Sequence, residues 1–249
     1  MLKLPHVYPV VDSAAWVQRL VSVGVRLIQL RVKDRPEAQI HAEIRAAKGI
    51  CARAGAQLIV NDYWMLALAE GCDFVHLGQG DLDTADIRVI REAGARIGIS
   101  THSHLELARA LALQPDYVAL GPIYPTVLKV MPWVPQGLAR ITEWKQRIGD
   151  TPLVAIGGLT LERLPGALTA GADSAAVVND IVSNSDPEAR ARQWLATAEV
   201  VAATRGAAMT TNGTSAVARG AVTTTNGNVM AADGTASATT GPGTPPARG

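Results

Sequence analysis

Eight short apolar runs, most of them followed by a segment of helical period, constrain what this chain can fold into. The runs are VYPVV (7–11), LIQL (27–30), QLIV (57–60), FVHL (74–77), RIGI (96–99), YVAL (117–120), LVAI (153–156) and SAAVV (174–178). Between the second and third, the stretch 36–54 sets Ile40, Ile44, Ala47 and Ile50 or Cys51 three and four apart, the spacing of a helix with one buried face. Further helices are expected over 84–93, 103–113, 137–148, 161–170 and 187–201, with Gly55, Gly71, Gly94 and Gly171 as stops. Eight strand and helix pairs in roughly 200 residues is the count of a (β/α)8 barrel, the TIM-barrel architecture of the α/β class. An open doubly wound sheet is the rival. It usually needs a phosphate-binding glycine turn after the first strand, where this chain reads VVDSAAW.

Length and charge fit that reading. A chain of 249 residues with 48% hydrophobic content suits one barrel. A net charge of +1, from 23 basic and 22 acidic residues, argues against a nucleic-acid partner, so recognition of charge has to be local. No 18 uninterrupted apolar residues occur, so no membrane span is expected, and the N-terminal MLKLPHVYPVVD does not read as a signal peptide. A cytoplasmic location follows. Cys51 and Cys72 have neither CxxC nor paired spacing and read as small core residues. From residue 204 to 249 the chain has no leucine, isoleucine or aromatic residue and repeats TTNG. Such a segment buries too little to offset its ordering entropy. The expected organisation is therefore a barrel domain over 1–203 and a disordered tail over 204–249, where the sequon at Asn212 is read as chance.

In a barrel the reactive face is built from the C-terminal strand ends and the loops after them. After the second run, Gln29, Arg31 and Lys33 alternate, which directs two cations and an amide to one face and calls for an anion. The third run ends in Asn61 and Asp62, and the fourth in a glycine turn carrying Asp81. Two carboxylates on neighbouring strand ends beside a basic cluster suit Mg²⁺, which takes one or two carboxylates and completes its shell with water and phosphate oxygens. Capping of a following helix is the competing role for Asp62. The fragment Gly78-Gln79-Gly80 fails as a dinucleotide fingerprint because Asp83 stands where a glycine is needed.

The fifth run ends at Ser100, whose hydroxyl suits a phosphate or a ring. His76, His102 and His104 lack the spacing of a zinc site, and GIST lacks the elbow of a serine hydrolase. After the sixth run comes GPIYPTVLK with Thr126, Leu128 and Lys129; after the seventh, Gly157 and Gly158; after the eighth, VVND. Backbone amides after strands seven and eight form the usual phosphate pocket of such barrels. Two anion sites at one mouth are therefore expected.

The motifs QLRVK, ND, HLGQGD, GISTHS, DYVALGPIYPT, AIGG and AAVV, in this order and spacing over roughly 7–202, resemble the thiamine phosphate synthase family. That family joins a hydroxymethylpyrimidine diphosphate to a thiazole phosphate and releases pyrophosphate. The resemblance implies that Gln29, Arg31, Lys33, Asn61, Ser100 and Lys129 hold the pyrimidine diphosphate, with Arg31, Lys33, Ser100 and Lys129 acting in catalysis. It implies Mg²⁺ on Asp62 and Asp81, and a thiazole phosphate facing Thr126, Leu128, Gly157, Gly158, Val178 and Asn179. Two positions depart from the family pattern: Leu128 replaces a threonine and Asn179 a serine, both on the thiazole side. Trp133 is expected to cover the site. A thiazole tautomerase-like isomerase and a non-catalytic phosphate-binding or regulatory barrel are the alternatives. The expected partners are the two small-molecule substrates, with no nucleic acid and no membrane; a homo-oligomer stays open.

Overall fold

The structure, a computed structural model, describes residues 2–126 and 133–217. Eight parallel strands close into a barrel in chain order, with the eighth pairing back onto the first. They are β1 (Val7–Val11), β2 (Leu27–Leu30), β3 (Gln57–Asn61), β4 (Phe74–Leu77), β5 (Arg96–Thr101), β6 (Tyr117–Leu120), β7 (Leu153–Ile156) and β8 (Ser174–Val177). The helices are α1 (Ala14–Ser22), α2 (Glu37–Ala54), α3 (Trp64–Ala69), α4 (Ile87–Glu92), α5 (His104–Ala112), α6 (Gly137–Ile148), α7 (Leu164–Thr169), α8 (Asn179–Val182) and α9 (Pro187–Val217). Register is in step around the ring: Gln29 lies opposite Ile59, and Ile99 opposite Val118.

The strands are mostly apolar because both of their faces are covered. One face meets the helices, where Ile28, Val75, Ile99, Trp144 and Trp194 belong to the larger buried cluster. The other fills the lumen with Leu4, Tyr8, Leu27, Phe74, Tyr117 and Val154. Each such large side chain contributes about 1.5–3 kcal/mol by leaving water. Trp144 is also tied by a hydrogen bond, its indole nitrogen donating to Thr101 Oγ1 at 2.9 Å while that hydroxyl donates to the Ala119 carbonyl at 2.9 Å. Gly98 on β5 has a packing reason to lack a side chain: a Cβ there would lie 2.1 Å from the Tyr117 ring.

Several boundaries differ from those expected. β3 and β5 run past their apolar stretches to take in Asn61, Ser100 and Thr101, because strand pairing continues where the side chains turn polar at the mouth. α4 starts at Ile87 rather than 84, where the Asp86 carboxylate accepts from the Val89 amide at 3.1 Å. Helix α1, not singled out in the sequence, begins directly after β1 and buries Val17, Leu20 and Val21. The expected domain boundary at 203 falls inside α9, whose helical backbone continues to Val217. Thr204 Oγ1 donates to the Val200 carbonyl at 2.9 Å, and Arg205 Nη1 to the Ala172 carbonyl at 3.2 Å, so the barrel's contacts extend past 203. By contacts the chain divides into Met1–Ala208 and Met209–Gly249. The rest of the expected tail, 218–249, lies outside the described residues.

Cys51 and Cys72 are free, buried thiols, each pushed up to about 11 mainly by burial. Among the described residues no helix is long and apolar enough to cross a membrane.

Candidate active site

The strand ends open into one cavity of about 770 Å³. Its first wall carries Gln29 of β2, Arg31 just beyond it, Asn61 of β3 and Ser100 of β5. β2 stops at Leu30, so Arg31 and Lys33 are delivered by the chain beyond it, not by the strand itself; the Arg31 amide still bonds the Val11 carbonyl at 2.7 Å. Val32 between them is 2% exposed, so the alternation outlives the strand. Asn61 is buried, and its amide nitrogen has no hydrogen-bond partner. A donor in that condition costs about 1–3 kcal/mol in an ordinary interior. The residue lines the cavity.

Lys33 parts from Gln29 and Arg31. Its ammonium pairs with the Asp62 carboxylate rather than with Asp34 or Glu37. Asp62 does not cap α3, whose cap position is Tyr63 with no side-chain capping bond. Instead Asp62 sits at φ 63°, a left-handed conformation costly for a residue with a Cβ, and its charge acts on Asp81. Asp81, at the start of the 3-10 turn Asp81–Asp83, accepts from the Gly78 amide at 2.8 Å. Its carboxyl is raised above the usual range, first by burial and then by the Asp62 charge, while the Gly78 amide and Lys33 oppose the rise. Two carboxylates held together against their own repulsion fit a divalent cation, and two is the number Mg²⁺ commonly takes from protein when phosphate and water supply the rest.

The opposite wall carries Thr126, Gly157, Gly158, Val178 and Asn179. Gly157 and Gly158 have φ 95° and 65°, and a Cβ on either would come within 2.7 Å of Pro122 or 2.5 Å of the Pro125 carbonyl. Only glycine lets the loop after β7 lie this close to the loop after β6, where the Tyr124 amide bonds the Gly157 carbonyl at 3.0 Å. Val178 caps the short α8, and Asn179 is its first residue. The first amides of a helix have no acceptor within it and suit an anion. Leu128 and Lys129 lie outside the described residues.

Some residues at this mouth were not assigned roles from the sequence. Arg163 lines the cavity, stacks over Tyr124 at 4.4 Å and donates to the Gly158 carbonyl at 2.6 Å, which brings a cation to the glycine wall. The three histidines go to separate partners: His102 to Glu106, His104 to Glu143, and His76 to Ser100 and Tyr117. His102 lines the cavity, and Trp133, expected to cover the site, stacks on the His102 ring with centres 5.6 Å apart and planes 7° apart without itself being a lining residue. The His76 imidazole is pushed down to about 4, chiefly by burial.

A (β/α)8 barrel whose mouth gathers cations, a carboxylate pair and glycine amides belongs to the class that binds phosphorylated small molecules. The family can be stated. This chain belongs to the thiamine monophosphate synthase family, whose model matches residues 7–181. A thiamine-phosphate synthase of Rhizobium etli is 61% identical over 195 residues, covering 78% of this chain and 96% of the relative. One of Klebsiella pneumoniae is 48% identical over 191 residues, covering 77% and 90%. The solved thiamine phosphate pyrophosphorylase of Pyrococcus furiosus superposes with TM-score 0.71 at 24% identity over 79% of this chain and 96% of that one, which shows the shared fold.

Proposed function

We propose that this protein condenses 4-amino-2-methyl-5-hydroxymethylpyrimidine diphosphate with a thiazole phosphate, giving thiamine phosphate and pyrophosphate. The observation that carries the reading is a single cavity with Gln29, Arg31, Asn61 and Ser100 on one wall and Thr126, Gly157, Gly158, Val178 and Asn179 on the other. Two phosphorylated substrates can face each other there, and their proximity supplies much of the acceleration. Family membership supports the same reading.

In this mechanism Gln29, Asn61 and Ser100 hold the pyrimidine, and Arg31, Lys33 and Lys129 take the diphosphate. Asp62 and Asp81 would hold Mg²⁺, which when bound neutralises charge on the diphosphate as a Lewis acid. The bond from the pyrimidine methylene to the diphosphate oxygen breaks, its electron pair leaving with pyrophosphate. Arg31, Lys33 and Lys129 stabilise that growing charge. The glycine wall, with Thr126 and Asn179, orients the thiazole so that its ring nitrogen forms the new C–N bond. No general base is required. Leu128, where the family offers a hydroxyl, is expected to weaken thiazole binding by on the order of 1 kcal/mol without removing turnover. A tautomerase handling the thiazole alone would have no use for Lys33, Asp62 and Asp81. We place the reaction in the cytoplasm, a location that the free, buried thiols suit.

The test is pyrophosphate release by the purified protein. Release should require both substrates and Mg²⁺; none with all three present would overturn the reading. Asp62→Ala should lower the rate by on the order of 100-fold or more with the circular dichroism unchanged, since several kcal/mol of charge stabilisation is lost. An unaltered rate would show that the metal lies elsewhere.

A further inference from the structure

Across the cavity floor, five side chains from five strands stand in one hydrogen-bonded line, of which Gln29, His76 and Ser100 line the cavity. Gln29 Nε2 donates to the Tyr8 hydroxyl at 2.8 Å, Tyr8 and Tyr117 share a bond at 2.9 Å, Tyr117 meets His76 Nδ1 at 2.6 Å, and His76 Nε2 meets Ser100 Oγ at 2.8 Å. Tyr8, Tyr117 and His76 are 1%, 0% and 6% exposed, so water does not intervene freely.

Donor counting gives the line a direction. The Gln29 amide occupies one lone pair of the Tyr8 oxygen, and the buried Tyr8 hydrogen then has Tyr117 as its acceptor. Tyr117 in turn spends its hydrogen on His76 Nδ1, which leaves His76 protonated on Nε2 and donating to Ser100. With the Gln29 amide donating to Tyr8, reversing the Tyr8–Tyr117 or the Tyr117–His76 link would leave a buried hydroxyl hydrogen without an acceptor, which costs about 1–3 kcal/mol. Burial also keeps both phenols protonated, so neither hydrogen is lost from the count.

We infer that Tyr8, Tyr117 and His76 are positioning residues forming a one-way relay that presents Ser100 to the cavity as a hydroxyl donor and Gln29 as a carbonyl acceptor. Both ends of the relay line the cavity. The pair is complementary to an aminated nitrogen heterocycle, whose amino N–H meets Gln29 Oε1 and whose ring lone pair meets Ser100. The inference deepens the synthase reading and rests on it for the identity of the ligand, but the hydrogen-bond direction belongs to the free protein.

The experiment therefore has two arms. In the first, multiple-bond ¹⁵N–¹H spectra of the histidine-labelled full chain report the His76 tautomer, with its signals assigned by their loss in His76→Gln. The Nε2–H form is expected, and an Nδ1–H form would overturn the direction. Tyr117→Phe removes the hydrogen given to Nδ1 and should produce a mixture of tautomers. Tyr8→Phe, one link further up, leaves His76 Nδ1 as the acceptor for the Tyr117 hydrogen and should keep the Nε2–H form. An unmixed Nε2–H form in Tyr117→Phe, or an Nδ1–H form in Tyr8→Phe, would overturn the relay, and if Tyr117→Phe does not fold the wild-type and Tyr8→Phe spectra decide it. In the second arm, pyrophosphate release by Tyr117→Phe should show KM for the pyrimidine diphosphate raised about tenfold, the scale of one net hydrogen bond, with KM for the thiazole phosphate unchanged. Equal changes in both would mark a merely structural role and overturn the assignment. If the wild type releases no pyrophosphate, the synthase reading falls while the tautomer arm still decides the relay.

Discussion

On the proposed reading, the amide nitrogen of Asn61, buried and without a partner, is a cost that the fold carries for the sake of binding. Asn61→Ala is thus expected to keep the thermal midpoint within about 3 °C of wild type while raising KM for the pyrimidine diphosphate about tenfold. Melting curves and initial rates check both halves. His76 gives a pH effect of definite sign. Its folded pKa of about 4 lies below the unfolded value near 6.5, so in between the unfolded chain binds a proton that the folded chain refuses. This contribution to stability is full above pH 6.5 and is lost as the pH falls towards 4. Between pH 7 and 5 the wild type should lose about 2 kcal/mol more than His76→Gln, read from denaturant midpoints. Equal losses would contradict the burial argument.

Among the elements, the junction of α8 with α9 carries the glycine wall. The Asp180 carboxylate accepts from Arg190 Nε and Nη2 at 2.9 Å each, from the Trp194 indole at 2.6 Å and from the Leu161 amide at 3.2 Å. It thereby ties the segment after Gly158 to α9. Asp180→Ala strands a half-buried guanidinium and a buried indole, and is expected to cost about 3 kcal/mol, seen as a fall in thermal midpoint of about 6–12 °C. The strands are legible in the sequence because each is a short, mostly apolar run, and the first-wall residues Asn61 and Ser100 because they follow such runs, while Gln29 stands inside one. Helix α1 follows β1 almost directly, across Asp12 and Ser13, so no glycine or loop separates it from the first apolar run in the sequence. The relay could not be read: Tyr8, Gln29, His76, Ser100 and Tyr117 are spread along the sequence, and only closure of the barrel aligns them.

For the whole molecule, near-neutral charge with a local basic cluster means that substrate and metal should stabilise the fold together. With Mg²⁺ and the pyrimidine diphosphate at about 100 times its Kd, the midpoint should rise by about 5–10 °C, as mass action on a barrel of this size requires. With chelator in place of Mg²⁺ the rise should largely vanish; an equal rise would separate the diphosphate from Asp62 and Asp81. The lumen itself carries a lesson in the missing side chain of Gly98. Because β5 contributes nothing at that level, β6 can lay the Tyr117 ring across the space, and its hydroxyl reaches polar neighbours on both sides. Gly98 and Tyr117 are in effect one residue's worth of volume shared between two strands. A sequence in which either changes must change the other to keep the barrel filled, so drift at these two positions is bound to be concerted, and the polar line across the lumen owes its place to a single absent carbon.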